Sequence, residues 1–547
     1  MGCDQAGHPE VRPRRKTLSQ TLTRLKVLAA TGVIRPYRPS VLFRVARTLR
    51  KWGHGTAGGY AAAAVRMPDH LALVDDSGAL TFSEVHQRTN SLSRGMSERG
   101  VGEGDSVALM CRNHRGFVEA SVAAAKLGAD VIYLNTGFGR SELMDVLGRE
   151  RPRALVFDEE FEPVVTGVAD GIDLIVAWHE SDHLSWPALD ELAQTHKCVE
   201  LTPPRRAPRT VILTSGTTGS PSGVARGTGS MAAAVAILST VPLRHGERSH
   251  LAVPLFHAWG WAHFQLGMLL GSTLVLRRRF DPEACLAALA EQRCDSLVAV
   301  PVMLQRILEL PEETLRRYDT GSLRVVAVSG SALPGDLATR WMDAFGDTLY
   351  NVYGSTECAW ATIAGPADLR AAPTTAGRPP VGTKVRVYDE AGQTVERGRP
   401  GRIFVRNSML AEMHAGPGGL IEGWMATGDV GRFDSSGRLT VEGRDDEMIV
   451  SGGENVYPKE VEDCLARHPA VLDAAVVGVP DADFGQRLRA FVVCSSAVTS
   501  EHLRAYLRSE LARYKVPREV WFLDELPRNE TGKVLKRELV RQDPPPA

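Results

Sequence analysis

The stretch LTSGTTGSPSGV, residues 213–224, packs three glycines among hydroxylated side chains. The apolar Val211, Ile212 and Leu213 leading into it read as the end of a buried strand. In α/β sheets, ligands bind just outside the carboxyl ends of strands. Glycine lets a backbone turn its N–H groups inward, and Ser/Thr hydroxyls add donors, so the loop suits an anion. It is not a P-loop: counting from Gly216, the second glycine of GxxxxGK[ST] would fall on Pro221. Taken alone, the stretch reads equally as a phosphate cradle or as a polar turn.

Working outward, the chain alternates helix-period and strand-like segments from residue 80. TFSEVHQRTNSLSRGMSERG reads as a helix opened by a capping box, Thr81 with Glu84, and closed at Gly100. DSVALMC is a short buried strand and FVEASVAAAKLG a helix, with VIYLN and ALVFD as further strands. Strands alternating with helices predict a doubly wound, mostly parallel sheet. Between 373 and 445, frequent Gly and Pro with the short strands KVRVYDE, GRIFVRN and GRLTVEG predict a small β-rich subdomain. Beyond Arg444 the strands AAVVGVP and LRAFVVC and the helix SEHLRAYLRSELA form a separate compact segment. The expected fold is α/β: a large N-terminal domain with doubly wound sheets and a small β-rich subdomain, then a smaller α+β C-terminal domain. The expected boundaries are a basic segment 1–55, a large domain 56–445 and a small domain 446–540.

Composition narrows the class. Of 547 residues, 43% are hydrophobic and 24% charged, as in soluble globular proteins, and a net charge of −1 argues against a nucleic-acid partner. Eight cysteines without a CxxC pair fit reduced thiols in a cytoplasmic protein. The longest run without Asp, Glu, Lys or Arg, 249–276, contains histidines, Pro254 and Gln265, and reads as a buried core segment instead of a membrane span. Residues 11–51 are strongly basic, and VLFRVARTLRKWG (41–53) spaces Leu42, Val45, Leu49 and Trp52 as one helical stripe. A helix packed on the body with a solvated basic face is the favoured reading; peripheral contact with an anionic membrane is the alternative.

Four further motifs follow the loop in order: NVYGSTE (351–357), TGDVG (427–431), GRDDEMIVSGGENVYP (443–458) and PRNETGKVLKREL (527–539). The ordered set resembles the adenylate-forming superfamily, over roughly residues 60 to 540. That resemblance implies ATP, Mg²⁺ and coenzyme A as cofactors and substrates. It implies that Thr214, Ser215, Gly216, Thr217, Thr218 and Gly219 wrap the β- and γ-phosphates. Gly330, Ser331 and Ala332 of SGSALP would line the nucleotide. From NVYGSTE, Asn351, Tyr353 and Gly354 belong to the same site, with Tyr353 on the adenine, Thr356 at the α-phosphate and Glu357 on Mg²⁺. Oxygen ligands suit that hard cation. Asp429 and Arg444 would grip the ribose hydroxyls. Lys533 would bridge the substrate carboxylate and the α-phosphate, where two anions must meet. Ser451, Gly452 and Gly453 match the approach of the CoA arm, and Asp446 matches the hinge of the small domain.

There are departures and decoys. The family's loop usually ends PKG, whereas this chain has Pro221-Ser222-Gly223, and a hydroxyl cannot neutralise pyrophosphate as an ammonium does. Weaker ATP binding is expected, not lost activity. HESDH (179–183) fits HExxH, but it lies between a strand and a helix and reads as a loop. GTGSMA (227–232) reads as a helix start and not as a dinucleotide fingerprint. In PLFHAWGW (254–261), His257 stands where amino-acid-activating relatives place an aspartate, which disfavours an amino-acid substrate. His257, Trp259, Gly330 and Trp360 are the candidate acyl pocket. The favoured reading is an ATP-dependent fatty acyl-CoA synthetase. An aryl-CoA ligase, a ligase passing the adenylate to a carrier protein, and a non-catalytic nucleotide-binding relative remain as alternatives.

Overall fold

A helix of small residues, Arg115–Leu127, touches strands of two different sheets, and its alanines let both approach closely. The computed structural model describes residues 18–196, 198–199, 201–214, 222–226, 231–355, 358–407, 410, 423–451, 454–481, 485–529 and 532–541. One of the two sheets has eight strands. Its centre is parallel, running through Leu71–Asp75, Thr273–Val275, Arg248–Leu251, Ser296–Ala299, Val325–Val328 and Leu349–Ser355. Gly78–Thr81 and Ala359–Ala364 close its edges antiparallel. The other sheet has six strands and is parallel except at Ser222–Arg226, which pairs antiparallel with Thr210–Thr214. The expected doubly wound α/β architecture is present.

Polar side chains fix the buried helix in place. Lys126 is 1% exposed and donates to the His86 carbonyl (3.0 Å), Thr89 Oγ1 (2.7 Å) and Asn90 Oδ1 (2.6 Å) of the helix Phe82–Glu98. A buried cation needs such partners. That second helix opens with the expected capping box, Thr81 and Glu84. At the ends of two parallel strands, Cys111, His114 and Asp158 form a fully buried cluster. His114 Nδ1 accepts from Gly116 N–H (3.1 Å), which leaves Nε2 to donate to Asp158 (2.8 Å). Both ring nitrogens are used, so the cluster is a hydrogen-bonded brace.

The expected β-rich subdomain is an antiparallel sheet of Lys384–Tyr388, Gly401–Arg406, Met425–Phe433 and Leu439–Arg444. The C-terminal segment pairs the long strands Val471–Asp481 and Gly485–Cys494 and carries the helices Pro458–Leu465 and Ser500–Glu510. It has its own core around Val461, Leu465, Val476, Ala490 and Leu503. HESDH is a loop, with its first histidine just beyond the strand Asp173–Trp178. The stripe on the helix Pro39–Trp52 is corrected at one position. Trp52 is buried and Val45 and Leu49 are half-buried, but Leu42 is 49% exposed, because it lies at the edge of the inward face.

Gly354 shows how tightly the eight-stranded sheet is built at its edge. A Cβ there would lie 1.7 Å from the Ala359 carbonyl oxygen, where the pairing of Leu349–Ser355 with Ala359–Ala364 shifts register. Gly354→Ala is expected to cost about 1–3 kcal/mol through overpacking. By opening the hairpin that carries Tyr353 and Trp360, it should lower the denaturation midpoint. Urea melts of the two proteins check this; coincident curves would show that the hairpin yields without cost.

Candidate active site

The carboxyl ends of two adjacent parallel strands begin the site. After Val325–Val328 the chain enters the turn Ser329–Ala332, and the neighbouring strand Leu349–Ser355 carries Asn351, Tyr353 and Gly354. Gly330 has φ +94°, a left-handed conformation that glycine adopts without strain. Asn351 donates to the Thr375 carbonyl at 3.4 Å. Tyr353 reaches the four-stranded sheet, where its phenol donates to Asp429 Oδ2 and lies 3.2 Å from Thr427 Oγ1. Asp429 and Arg444 face each other as partners on antiparallel strands, with charged atoms 3.8 Å apart. The residues assigned to adenine and ribose are thus one bonded group.

Burial governs the electrostatics of this group. It pushes the Asp429 carboxyl above its ordinary range, outweighing the Tyr353 hydrogen bond and the Arg444 and Lys533 charges that pull it down. It also holds the Tyr353 phenol well above its usual value, reinforced by the neighbouring carboxylate. Thr427, which the sequence reading quoted without a role, accepts from Asp429 N–H (3.2 Å) while its carbonyl accepts from Arg444 (3.4 Å). It orients both.

Lys533 comes from the other side. Its N–H is held by Asn529 Oδ1 at 2.9 Å, in a turn where Gly532 takes φ +77°. A Cβ on Gly532 would lie 2.7 Å from Val302 Cγ1 and 3.4 Å from Val300 Cγ2. A Cβ on Gly330 would meet the other methyl of Val300, also at 3.4 Å. Val300 therefore sits where the turn of Gly330 and the turn of Lys533 meet. The exposed Lys533 side chain projects its charge onto Asp429 and Asp446.

Three consecutive acids join the halves. Asp445 pairs with Arg402 of the four-stranded sheet (3.2 Å), and Glu447 with Lys536 of the C-terminal segment (3.1 Å). Asp446, between them, is held by Arg444 at 3.0 Å.

The candidate acyl pocket gathers around the helix Ala258–Leu270, which His257 precedes as N-cap residue. Trp259 donates its indole N–H to the Ala299 carbonyl (3.1 Å), and Trp360 donates to Ala233 (3.1 Å). The two rings meet edge to face, with centroids 5.8 Å apart at 80°. His263, one turn beyond Trp259, was missed by sequence reasoning, although its i+4 spacing was a usable signal. Its Nδ1 lies 3.2 Å from the Trp259 carbonyl and must donate, so Nε2 is a bare acceptor. Among the described residues, the buried Nε2 atoms of His263 and His257 have no partner. Burial drives both imidazoles down to about 4, so they are neutral at pH 7.

Several assigned residues fall outside the described residues: Ser215, Gly216, Thr217, Thr218, Gly219, Thr356, Glu357, Gly452 and Gly453. The backbone of Thr214 pairs with Ser222, so the hydroxyl-rich stretch joins two antiparallel strands. Ser451 lies in the short strand Ile449–Ser451.

A family model of AMP-binding enzymes matches residues 60–413, and one of the AMP-binding enzyme C-terminal domain matches 460–533. The chain belongs to the AMP-binding, adenylate-forming enzymes. Its curated relatives include a feruloyl-CoA synthase of an Amycolatopsis species, 34% identical over 89% of this chain and 98% of the relative. An indoleacetate–CoA ligase of Aromatoleum aromaticum is 32% identical over 85% and 93%. Among solved structures, the o-succinylbenzoate CoA synthetase of Bacillus subtilis in complex with its acyl-adenylate intermediate superimposes with a TM-score of 0.76. It is 27% identical and covers 89% of this chain and 98% of its own. ATP, CoA and a small-molecule carboxylic acid are the substrates of AMP-binding enzymes of this kind, with Mg²⁺ the usual metal.

His263 makes stability of this AMP-binding enzyme pH-dependent in a defined window. Its folded value of about 4 lies below the ordinary value near 6.5. Between those values the unfolded chain binds a proton that the folded chain refuses, so stability falls as pH drops from 6.5 toward 4. The loss is on the order of 3 kcal/mol for this one group. His263→Leu should therefore show a smaller drop in melting temperature between pH 7 and pH 4.5 than the parent protein. An equal drop would place the acid sensitivity elsewhere.

Proposed function

We propose that this chain is an AMP-forming acid–CoA ligase whose preferred substrate is an aromatic carboxylic acid. The observation that carries the ring preference is the edge-to-face pair of Trp259 and Trp360 beside the bare nitrogens of His257 and His263. Flat, polarisable walls favour a planar ring, and an unpartnered acceptor favours a substituent bearing an O–H or N–H. Relatives named for feruloyl-CoA and indoleacetate support the aryl reading over the fatty-acid one favoured by the sequence. For an alkyl chain, a buried bare nitrogen would be a cost without a return.

In this reading the carboxylate attacks the α-phosphorus of ATP, the bond to pyrophosphate breaks, and the acyl-adenylate forms. Lys533 stands between the two approaching anions. Asp429 accepts from the ribose hydroxyls, Arg444 and Thr427 keep that carboxylate aimed, and Tyr353 presents its ring face to the adenine. On the family resemblance, Thr214 to Gly219 would enclose the phosphates, Thr356 would touch the α-phosphate and Glu357 would hold Mg²⁺. Bound there, the metal would neutralise phosphate charge. Ser222 leaves the loop one cation short. Attack by the CoA thiol on the acyl carbonyl then expels AMP, with Ser451, Gly452 and Gly453 at the CoA arm. We assign residues 56–445 to the adenylating domain and 446–540 to a mobile domain with Asp446 as its hinge. The opposed anchoring of Asp445 and Glu447 supports that pivot.

Two measurements test this reading. CoA-dependent AMP release should be at least tenfold faster, in kcat/KM, with hydroxylated cinnamates or arylacetates than with straight-chain acids, a difference of about 1.4 kcal/mol. A preference for palmitate would overturn the aryl assignment and restore the fatty-acid reading. Lys533→Ala should lose acyl-adenylate formation by about two to three orders of magnitude, as when a positioned charge is removed. Thioester formation from supplied acyl-AMP should survive; equal loss of both half-reactions would refute the role given to Lys533.

A further inference from the structure

From residue 11 to residue 68 the chain contains thirteen Lys and Arg and no Asp or Glu, although the whole protein has a net charge of −1. Within that span the helix Pro39–Trp52 lies on the protein body by one face only. Trp52 packs with Ala57, Ala61 and Ala125, while Val45 and Leu49 are half-buried. The opposite face holds Phe43, Arg47 and Arg50 at spacings i, i+4 and i+7, flanked by Arg44 and Lys51. Phe43 is 70% exposed, the most exposed large hydrophobic residue among those described. No carboxylate pairs with Arg44, Arg47 or Arg50 among the described residues.

A single exposed hydrophobic side chain would need no explanation. Here, however, five of the thirteen exposed large hydrophobics fall between residues 22 and 43: Leu22, Leu25, Ile34, Leu42 and Phe43. They share the acid-free span with the unpaired cations. We propose that the solvent face of the helix Pro39–Trp52 docks on an anionic lipid bilayer, with Phe43 entering the headgroup boundary and the arginines contacting lipid phosphates. Amphipathic helices that lie on membranes combine an apolar anchor with Lys/Arg on the flanking surface. Long cationic side chains bury their stems while keeping the charge in the headgroup layer. The face sets an exposed aromatic ring beside its cations. A nucleic-acid surface built for phosphates alone gains nothing from burying that ring in a groove of water and charge, whereas a bilayer takes up both. No described helix is long and apolar enough to cross a membrane, so the contact is peripheral.

The test is co-sedimentation of the full chain with vesicles of phosphatidylcholine, with and without phosphatidylglycerol. Partitioning should rise roughly tenfold or more when the anionic lipid is present, and fall when salt screens the surface charge. Phe43→Ser and the double variant Arg47→Glu/Arg50→Glu should each lose at least roughly tenfold of that binding. Because these side chains are exposed, melting temperature and CoA-ligase activity on a water-soluble acid should stay unchanged, which separates this test from the reading of the active site. Equal binding to both vesicle types, no binding to either, or full binding by the variants would each overturn the proposal. Capture of an acidic protein without vesicle binding would overturn it as well.

Discussion

Two glycines meet one valine, and the site depends on it. Gly330 and Gly532 both pack beside Val300, and Gly532 comes so close to Val302 that a Cβ there would lie 2.7 Å from its Cγ1. The first belongs to the turn assigned to the nucleotide, the second to the turn that carries Lys533. Without a Cβ on Gly532, the lysine turn settles against Val302 of the large domain, and the Lys533 charge reaches Asp429. That approach rests on steric fit, since a side chain at 532 would have to displace Val302.

The second constraint is the hydrogen-bonded group of Tyr353, Thr427, Asp429 and Arg444. Tyr353 comes from the strand next to one edge of the eight-stranded sheet, and Thr427, Asp429 and Arg444 from an inner strand and the adjoining edge strand of the small antiparallel one. Preorganised polar groups in a half-buried place keep their geometry before ligand arrives, and the cost of orienting them is met in folding. Asp429 shows that cost directly, since burial raises its carboxyl despite an adjacent guanidinium.

What the sequence revealed was local or sequential. The capping box of Thr81 and Glu84 is legible because its partners are three residues apart. The alternation of strands and helices was readable for the same reason, and the ordered motifs identified the family. The contact of Gly532 with Val300 was illegible, because more than two hundred residues separate them and neither lies in an unusual composition. His263 was visible as a residue but not as a bare acceptor: that depends on the Trp259 carbonyl capturing its other nitrogen. The fatty-acid reading gains no support from the feruloyl-CoA and indoleacetate relatives, which are named for aromatic acids, and the sequence carried no sign of that for a related reason. PLFHAWGW and SGGENVYP describe an apolar lining and a CoA approach, whereas the pairing of Trp259 with Trp360 joins residues a hundred positions apart in the chain.

The contact between the two halves is specific yet slight. Beyond the valine seat, Gln305 donates to the Leu472 carbonyl at 2.6 Å, and the acids at 445 to 447 pair outward in both directions. Modest polar contacts of this kind are what inter-domain interfaces within a chain commonly use. The small domain keeps its own hydrophobic core around Val476 and Leu503, so it can move without exposing its interior. Arg444 holds Asp446 while also lying beside the Thr427 carbonyl and Asp429. One guanidinium thus restrains both Asp429 and Asp446, so an occupant that engaged Arg444 would change the restraint on Asp446.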